Sequence, residues 1–491
     1  MLPAAIATDR LLDLLGPEQV RTDPESRYLA SMDNLRFSRL PAARIFPADE
    51  SAIRTVLSLA NEYSVPITTR GAGSATTGAT SPLEDGWVLD LSAWKQVHID
   101  PVARMAYVQP GLTLAELDAA AAEFGLFYPP DPGSREYATI GGTIATNAGG
   151  MRGAKYGVTR DYVLALEGFL GNGDFVRWGA NLRKFAAGYN MRDLWIGSEG
   201  TLGIITGAVL RLIPRPAHRC TAIAVFASEA EALSASHGLL LAGKTPSALE
   251  FIDRLSIESA FAFWQRTDPQ TLAALPDCLR HWQTNQEKPA LLLIETDGPH
   301  QDAQAQMHAI LDQIAPLSKG HFEATDPNTT AQLWKVRRSC SQAMFEWGPR
   351  KLNEDVVVPV DAQLELLRFV DGLRQSTGLA TPTFGHVADG NFHVHIMFDD
   401  RKPETVEAAR RALHSLMEKV IDLGGAISGE HGIGLAKSTF LHLQHGPAEI
   451  AAMKAVKHAL DPAGILNPDK IWTACDTSAA PREAIRLPWD H

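Results

Sequence analysis

The sequence predicts an α+β protein built from more than one domain, and three observations carry that expectation. The chain has 491 residues, more than one hydrophobic core ordinarily serves. From about residue 217 to 420, strand-like runs such as Ala222–Phe226, Leu291–Glu295 and Asp355–Pro359 alternate with helical segments, the pattern of a mixed sheet and helix domain. Between residues 70 and 206, stretches of glycine and other small residues interrupt the regular elements and leave the backbone bare.

Taken in order, residues 1–37 read as a helical lead-in, with Leu11, Leu12, Leu14 and Leu15 apolar and no chemical motif. Ile53, Val56, Leu57 and Ala60 then recur at helical spacing, and Val65–Thr69 reads as a short strand running into the loop Arg70-Gly71-Ala72-Gly73-Ser74-Ala75-Thr76-Thr77-Gly78. That loop is not G-x-G-x-x-G. Nor does any segment give the phosphate-loop pattern, because Ala436 stands before Lys437-Ser438 where a glycine is required. What the loop offers is backbone N–H groups and the hydroxyls of Ser74, Thr76 and Thr77, a nest for a pyrophosphate.

Small residues dominate again from Pro129–Ser134 through Ala138–Gly150. A core strand needs bulk to pack, whereas a backbone laid against a large flat ligand needs side chains out of the way. Lys155–Asp161, a strand from Leu164 to Leu170, the turn Gly171–Asp174 and the segment Gly197–Thr206 follow.

In the second half, Leu333, Val336, Cys340 and Met344 share one face of a predicted helix. Arg337 falls inside that face while Lys335 and Arg338 point away. A salt-bridged or snorkelling arginine is the structural reading; the functional one is a planar fork that binds a substrate carboxylate. Lys351 and Asn353 are weaker candidates for the same work. The densest chemistry lies in Gly385–His395, which packs His386, Asp389, Asn391, His393 and His395 into eleven residues. The alternation from His393 to Phe398 predicts a strand with His393, His395 and Met397 on one face. The turn-prone Ala388–Asn391 lets His386 fold back beside His393, a layout suited to two metal ligands. Glu430-His431 then sits within Ser428–Gly434 among three glycines. Two histidines and one glutamate leave positions open on a divalent ion, the catalytic pattern rather than the structural one. Ile450–Leu460 reads as a helix, Asp461–Gly464 as a turn, and 473–491 as a tail.

Composition narrows the class. The formal charge of −12 opposes non-specific nucleic-acid binding. No run of 18 apolar residues predicts a membrane span, and the start lacks a secretory signal. Cys220, Cys278, Cys340 and Cys475 are scattered with no C-x-x-C, against a disulfide framework or a cysteine-ligated iron–sulfur cluster. A cytoplasmic protein is expected.

The set Arg70–Gly78, Pro130–Ser134, Gly141–Gly150 and Gly197–Thr206 resembles the FAD-binding (PCMH-type) domain of the vanillyl-alcohol oxidase superfamily. His386–His393 with Gly429–Gly434 resembles its metal-dependent D-2-hydroxyacid dehydrogenase branch, which includes glycolate oxidase flavoprotein subunits, D-lactate dehydrogenases and D-2-hydroxyglutarate dehydrogenases. The resemblance implies two α+β subdomains clasping FAD over 38–216, a substrate domain with an antiparallel sheet over 217–425, and a C-terminal segment over 426–472 that returns to the flavin. It implies FAD contacts at Arg70, Gly71, Ala72, Gly73, Ser74, Pro130, Gly133, Ser134, Gly141, Gly142, Thr143, Asn147, Gly150, Gly203, Ile204, Glu430 and Asn467. It further implies metal ligands at His386, His393 and Glu430, with Zn²⁺ first and Mn²⁺, Fe²⁺ or Co²⁺ as alternatives. His431, Arg337, Asn391 and His395 are the implied catalytic residues. Covalent relatives tether flavin through a histidine in the first glycine loop; here that loop carries Ser74, so the flavin should be non-covalent.

The chemistry these residues suggest is oxidation of a small anionic 2-hydroxy acid. The metal would bind the hydroxyl and carboxylate, His431 would remove the hydroxyl proton, and the C2 hydride would pass to flavin N5. Electrons should leave to a separate acceptor, an electron-transfer flavoprotein, a quinone or a cytochrome, and a homodimer is the candidate assembly. Hydroxyglutarate-specific relatives tend to carry Asn where His395 stands and Lys near Asn353, so a D-lactate- or glycolate-like monocarboxylate is favoured over D-2-hydroxyglutarate. Two other readings stand beside this one: a non-redox His/Glu metallohydrolase with purely structural glycine loops, and a flavin-binding or regulatory subunit without activity of its own.

Overall fold

A computed structural model describes residues 3–273, 275–280 and 289–472. The chain divides into two compact units: the first comprises 1–149, 158–215 and 430–491, the second 150–157 and 216–429.

Among the described residues, the first unit contains two larger sheets and a two-stranded one. Strands β1 (Val20–Arg21), β2 (Ala43–Ile45), β3 (Ile67–Arg70) and β4 (Trp87–Asp90) form one, in the order β1-β2-β4-β3. The helix Glu50–Tyr63 packs its Ile53, Val56, Leu57 and Ala60 into the core of this layer. Its ends are set chemically: Asp49 accepts the Ala52 N–H at 3.0 Å, and Ser64 closes it in the left-handed region at φ +55°. The second sheet is antiparallel, built from β5 (Val97–Asp100), β6 (Met105–Val108), β8 (Val163–Phe169), β9 (Phe175–Gly179) and β10 (Ile204–Arg211) in the order β5-β6-β10-β8-β9. The short strands β7 (Leu126–Phe127) and β11 (Ile213–Pro214) pair separately. After the helix Pro447–Leu460, the chain returns along β3, where Ile67 donates to Ile465 O and Asn467 donates to Ile67 O.

One local expectation needs correcting, and one helix was not anticipated. The lead-in is not helical throughout: after the helix Pro3–Leu15, Val20 and Arg21 pair antiparallel with Ile45 and Arg44. A two-residue strand is too short to leave a periodic signal. Within the small-residue stretch, Ile140–Thr146 is a helix capped by Thr139, whose side chain accepts the Gly142 N–H. Glycine and threonine hid it, because neither favours a helix interior. The tail 473–491 lies outside the described residues.

The second unit is built on a seven-stranded antiparallel sheet. Its strands are β12 (His218–Phe226), β13 (Ala248–Ile252), β14 (Ala290–Gly298), β15 (Gly320–Glu323), β16 (Arg350–Val357), β17 (Thr383–His386) and β18 (Asn391–Phe398), in the order β15-β12-β14-β13-β17-β18-β16. The helices Arg254–Thr267 and Pro327–Ala343 bury Ile257, Phe261, Trp264, Leu333, Val336 and Cys340 against it. Elsewhere, the helix Pro403–Asp422 packs on β16 and β18. Residues 150–157 belong to this unit because Asp297 on β14 accepts from the Lys155 ammonium and from the Tyr156 hydroxyl at 2.8 and 2.9 Å.

Candidate active site

In the second unit, four adjacent strands, β13, β17, β18 and β16, set the side chains in a row. The β17–β18 hairpin pairs His386 with Asn391 and Phe384 with His393. His386 thus sits diagonally across from His393, with ring centroids 5.3 Å apart. On one side β13 places Glu250 opposite His386, and on the other β16 places Asp355 opposite His393 and Asn353 opposite His395.

The hydrogen bonds give this row its chemistry. Glu250 Oε1 lies 2.6 Å from His386 Nδ1, and a carboxylate can only accept, so Nδ1 carries the proton. His386 Nε2 is then the acceptor nitrogen in the neutral ring, and it faces His393 Nε2 at 3.5 Å. Two buried imidazole nitrogens turned to each other, one held from behind by a carboxylate, are donors of the kind that could hold a divalent metal. Glu250 Oε2 accepts from Arg337 Nε at 2.6 Å, and the Arg337 guanidinium lies over Phe384, 4.1 Å from the ring centroid. Burial would push the Glu250 carboxyl up, but His386 and Arg337 outweigh it and hold it below its usual range. Asp355, fully buried, accepts from Asn391 Nδ2 at 2.6 Å and from the Gly429 N–H at 2.9 Å.

These contacts sort the anticipated residues. Arg337 is buried on the inner face of its helix while Lys335 and Arg338 are exposed, as helical spacing requires. Its Nε is committed to Glu250, and its two Nη nitrogens take no part in that bond. Asn391 spends its amide hydrogens on Asp355 and on Val356 O at 3.0 Å. His395 is fully buried, its ring centroid 5.2 Å from that of Phe384. Lys351 Nζ donates to Ser341 O and Oγ, both at 2.8 Å.

In the first unit, the first glycine loop is shaped by contacts only glycine permits. A Cβ on Gly73, which has φ +67°, would come within 2.0 Å of Arg70 Nη2, and one on Gly71 within 2.2 Å of Thr139 Oγ1. Arg70 itself is buried, with Nη1 donating to Met32 O at 2.9 Å. The loop thereby rests on the cap of the helix Ile140–Thr146, which holds Gly141, Gly142 and Thr143 and ends at Asn147. Thr69 Oγ1 and Thr76 Oγ1 are buried there without a hydrogen-bond partner among the described residues. Buried hydroxyls of this kind call for a polar ligand, which fits a dinucleotide cofactor. Ser134 O accepts the N–H groups of Tyr137 and Ala138 in the turn after Pro130 and Gly133. Gly150 opens the segment held by Asp297, with φ +119°. Gly203 and Ile204 can offer only backbone: Gly203 lies against Trp195, and the Ile204 side chain is fully buried in the core. Asn467 ties Thr68, Ala79 O and Glu199 O together through its amide.

No local pattern in the sequence marks Glu199 as a site residue. Its carboxylate accepts the N–H groups of Ile433 and Gly434 at 2.7 and 2.8 Å, and Gly432, at φ +82°, leaves room for it. Thr77 O accepts Leu435 and Ala436 in turn, so the loop carrying Glu430 and His431 is docked on the first glycine loop. Glu430 lies against Gly149, where a Cβ would meet Oε2 at 2.8 Å. Burial pushes the Glu199 carboxyl from 4.5 up to about 7, with the two N–H groups pulling the other way. An acid that holds its proton more tightly when folded favours folding at low pH, and that contribution is lost as pH rises through the folded value. Stability should therefore fall from pH 4.5 to about 7, by up to ~3 kcal/mol from this group. Thermal melts of Glu199→Gln should show a flatter decline over that window; a slope equal to that of the unsubstituted protein would contradict the assignment.

Comparison with known proteins agrees with the architecture. The FAD binding domain family matches residues 41–179, and the family of FAD linked oxidases, C-terminal domain, matches residues 215–471. The glycolate oxidase subunit GlcD of Bacillus subtilis (strain 168) is 36% identical over 470 residues, covering 94% of this chain and 96% of that protein. The mitochondrial D-lactate dehydrogenase (cytochrome) of Arabidopsis thaliana is 32% identical over 462 residues, covering 92% and 78%. Among solved structures, p-cresol methylhydroxylase with substrate bound superposes with a TM-score of 0.78 at 18% identity, covering 96% of this chain and 97% of that one, a likeness of fold. No helix among the described residues is long and apolar enough to cross a membrane. The non-redox hydrolase alternative falls, because both halves of the chain match flavoprotein families. The resemblance of the glycine loops is thus borne out, and the chain belongs to the FAD-linked oxidases as an FAD-linked oxidoreductase.

Proposed function

We propose that the chain is an FAD- and divalent-metal-dependent dehydrogenase that oxidises a D-2-hydroxy monocarboxylate, D-lactate or glycolate in character, to the 2-oxo acid. The observation that carries this reading is the pair of buried imidazoles, His386 and His393, with Nε2 atoms 3.5 Å apart and Glu250 behind one of them. The activities for which the relatives are named, those of a glycolate oxidase subunit and of D-lactate dehydrogenases, support the substrate class.

In this reading residues 38–216 bind FAD, 217–425 bind substrate, and 426–472 complete the site. His386, His393 and Glu430 would hold the metal, Zn²⁺ by donor type. Gly429, bonded to Asp355, anchors the chain one residue before Glu430. When bound, FAD supplies the hydride acceptor for C2 and the cation supplies the charge that makes an alcohol acidic enough to ionise near neutral pH. Arg337 holds the C1 carboxylate through its Nη nitrogens, a geometry suited to two parallel bonds. His431 takes the hydroxyl proton on a ring nitrogen, and the electrons then pass to a separate acceptor, an electron-transfer flavoprotein, quinone or cytochrome.

The preference for a short substrate is supported by the positions around His395. Its cross-strand partner Asn353 carries no charge, and Lys351, the nearest cation on that strand, is bonded to Ser341. A second carboxylate buried there without a partner would cost several kcal/mol. Steady-state kinetics with an artificial electron acceptor should give D-lactate the higher kcat/KM. A D-2-hydroxyglutarate value about ten or more times larger, ~1.4 kcal/mol in transition-state terms, would overturn the preference.

A further inference from the structure

We propose that Glu250 is a positioning residue that sets both halves of the site: one carboxylate oxygen fixes the His386 tautomer that presents Nε2 to the metal, and the other holds the Arg337 guanidinium toward the substrate carboxylate. The inference rests on the metal-binding reading above and adds to it a residue that makes no contact with substrate.

Glu250 stands in Ala248-Leu249-Glu250-Phe251-Ile252, a strand buried at every position. A carboxylate in such a place is costly unless each oxygen is paired. Both are, each at 2.6 Å, and to two different site residues. The pairing is fixed by the ladder, because β13 sets Glu250 directly across from His386. With the proton held at Nδ1, the lone pair of His386 is confined to Nε2, the nitrogen facing His393. On its other side the carboxylate takes only Nε of Arg337, which leaves the Nη fork for a ligand, while Phe384 supports the guanidinium from beneath. Phe384 is itself the cross-strand partner of His393, so the same face of the sheet holds all four residues.

A purely structural alternative has Glu250 doing no more than neutralising a buried Arg337. The two readings separate on zinc affinity, measured by titrating the metal-stripped, FAD-loaded full-length protein with Zn²⁺ against a chromophoric chelator. In Glu250→Gln the amide can donate to Nδ1 and drive the proton onto Nε2, so Zn²⁺ should bind about 10–100-fold more weakly, the usual range for an outer partner of a metal-bound histidine. The KM for D-lactate should rise in the same variant, with FAD content unchanged. Should Glu250→Gln fail to fold, the double variant Glu250→Met with Arg337→Met removes the buried charges together, a change that buried ion pairs often tolerate. A structural role predicts unsubstituted zinc affinity in that double variant; the positioning role predicts the same 10–100-fold loss. Zinc binding as tight as in the unsubstituted protein, in whichever of the two folds, overturns the proposal alone. An unsubstituted protein that binds no Zn²⁺ overturns it together with the metal site.

Discussion

His431→Ala should slow reduction of the bound flavin by D-lactate by about 10²–10⁴-fold, the range expected when a general base is removed, with metal content and FAD content near those of the unsubstituted protein. The reason for expecting a chemical rather than a structural loss is how the loop is held. Its main chain is fixed by Glu199 accepting from Ile433 and Gly434, and by Thr77 O accepting from Leu435 and Ala436. None of these main-chain bonds uses the imidazole, so alanine should leave the backbone of the loop in place while removing the group proposed to receive the hydroxyl proton. Stopped-flow flavin absorbance measures the rate, and elemental analysis of the same sample measures the metal. Glu430→Ala, which removes a proposed ligand, should lose metal; a His431→Ala protein that loses it as completely would reassign His431 as a ligand.

The second large effect is expected at the imidazole pair. His393→Ala should abolish zinc retention and lower turnover by at least ~10²-fold, since even outer-sphere partners of such ligands are worth 10–100-fold. FAD should stay bound, because the glycine loops that would hold it, around Gly71, Gly73 and Gly141, take their shape from Arg70, Thr139 and Pro110 within the first unit. The expected sample is yellow, folded and inactive. A His393→Ala protein that keeps one equivalent of metal and normal turnover would remove the metal from the account.

The parts of this site that were legible in the sequence are those whose chemistry is local. His386 and His393 are seven residues apart on either side of a tight turn, and a hairpin brings them together whatever surrounds it. The inward position of Arg337 follows from helical spacing alone. What spacing could not supply is the partner across the fold. Glu250 and His386 are 136 positions apart in the chain, and Glu199 and Ile433 are 234 apart. Both contacts are made by strand register and loop docking, which no local pattern encodes. The signal for Glu250 was nonetheless present as a lone carboxylate in an otherwise apolar strand, since such a charge needs a buried partner. Glu199 was harder to see, because the glycines around it read equally well as cofactor contacts. Asn391 shows the converse: the sequence places it between two histidines, and its amide hydrogens hold Asp355 and Val356 O.

Anaerobic mixing with D-lactate tests the central claim most directly, using the FAD-loaded protein before and after metal removal and after Zn²⁺ is restored. Bleaching of the flavin absorbance within a turnover in the metal-loaded and restored samples, and its loss in the stripped sample with FAD still bound, is the predicted result. Equal bleaching with and without metal, or none with any D-2-hydroxy acid in the loaded protein, would contradict the account.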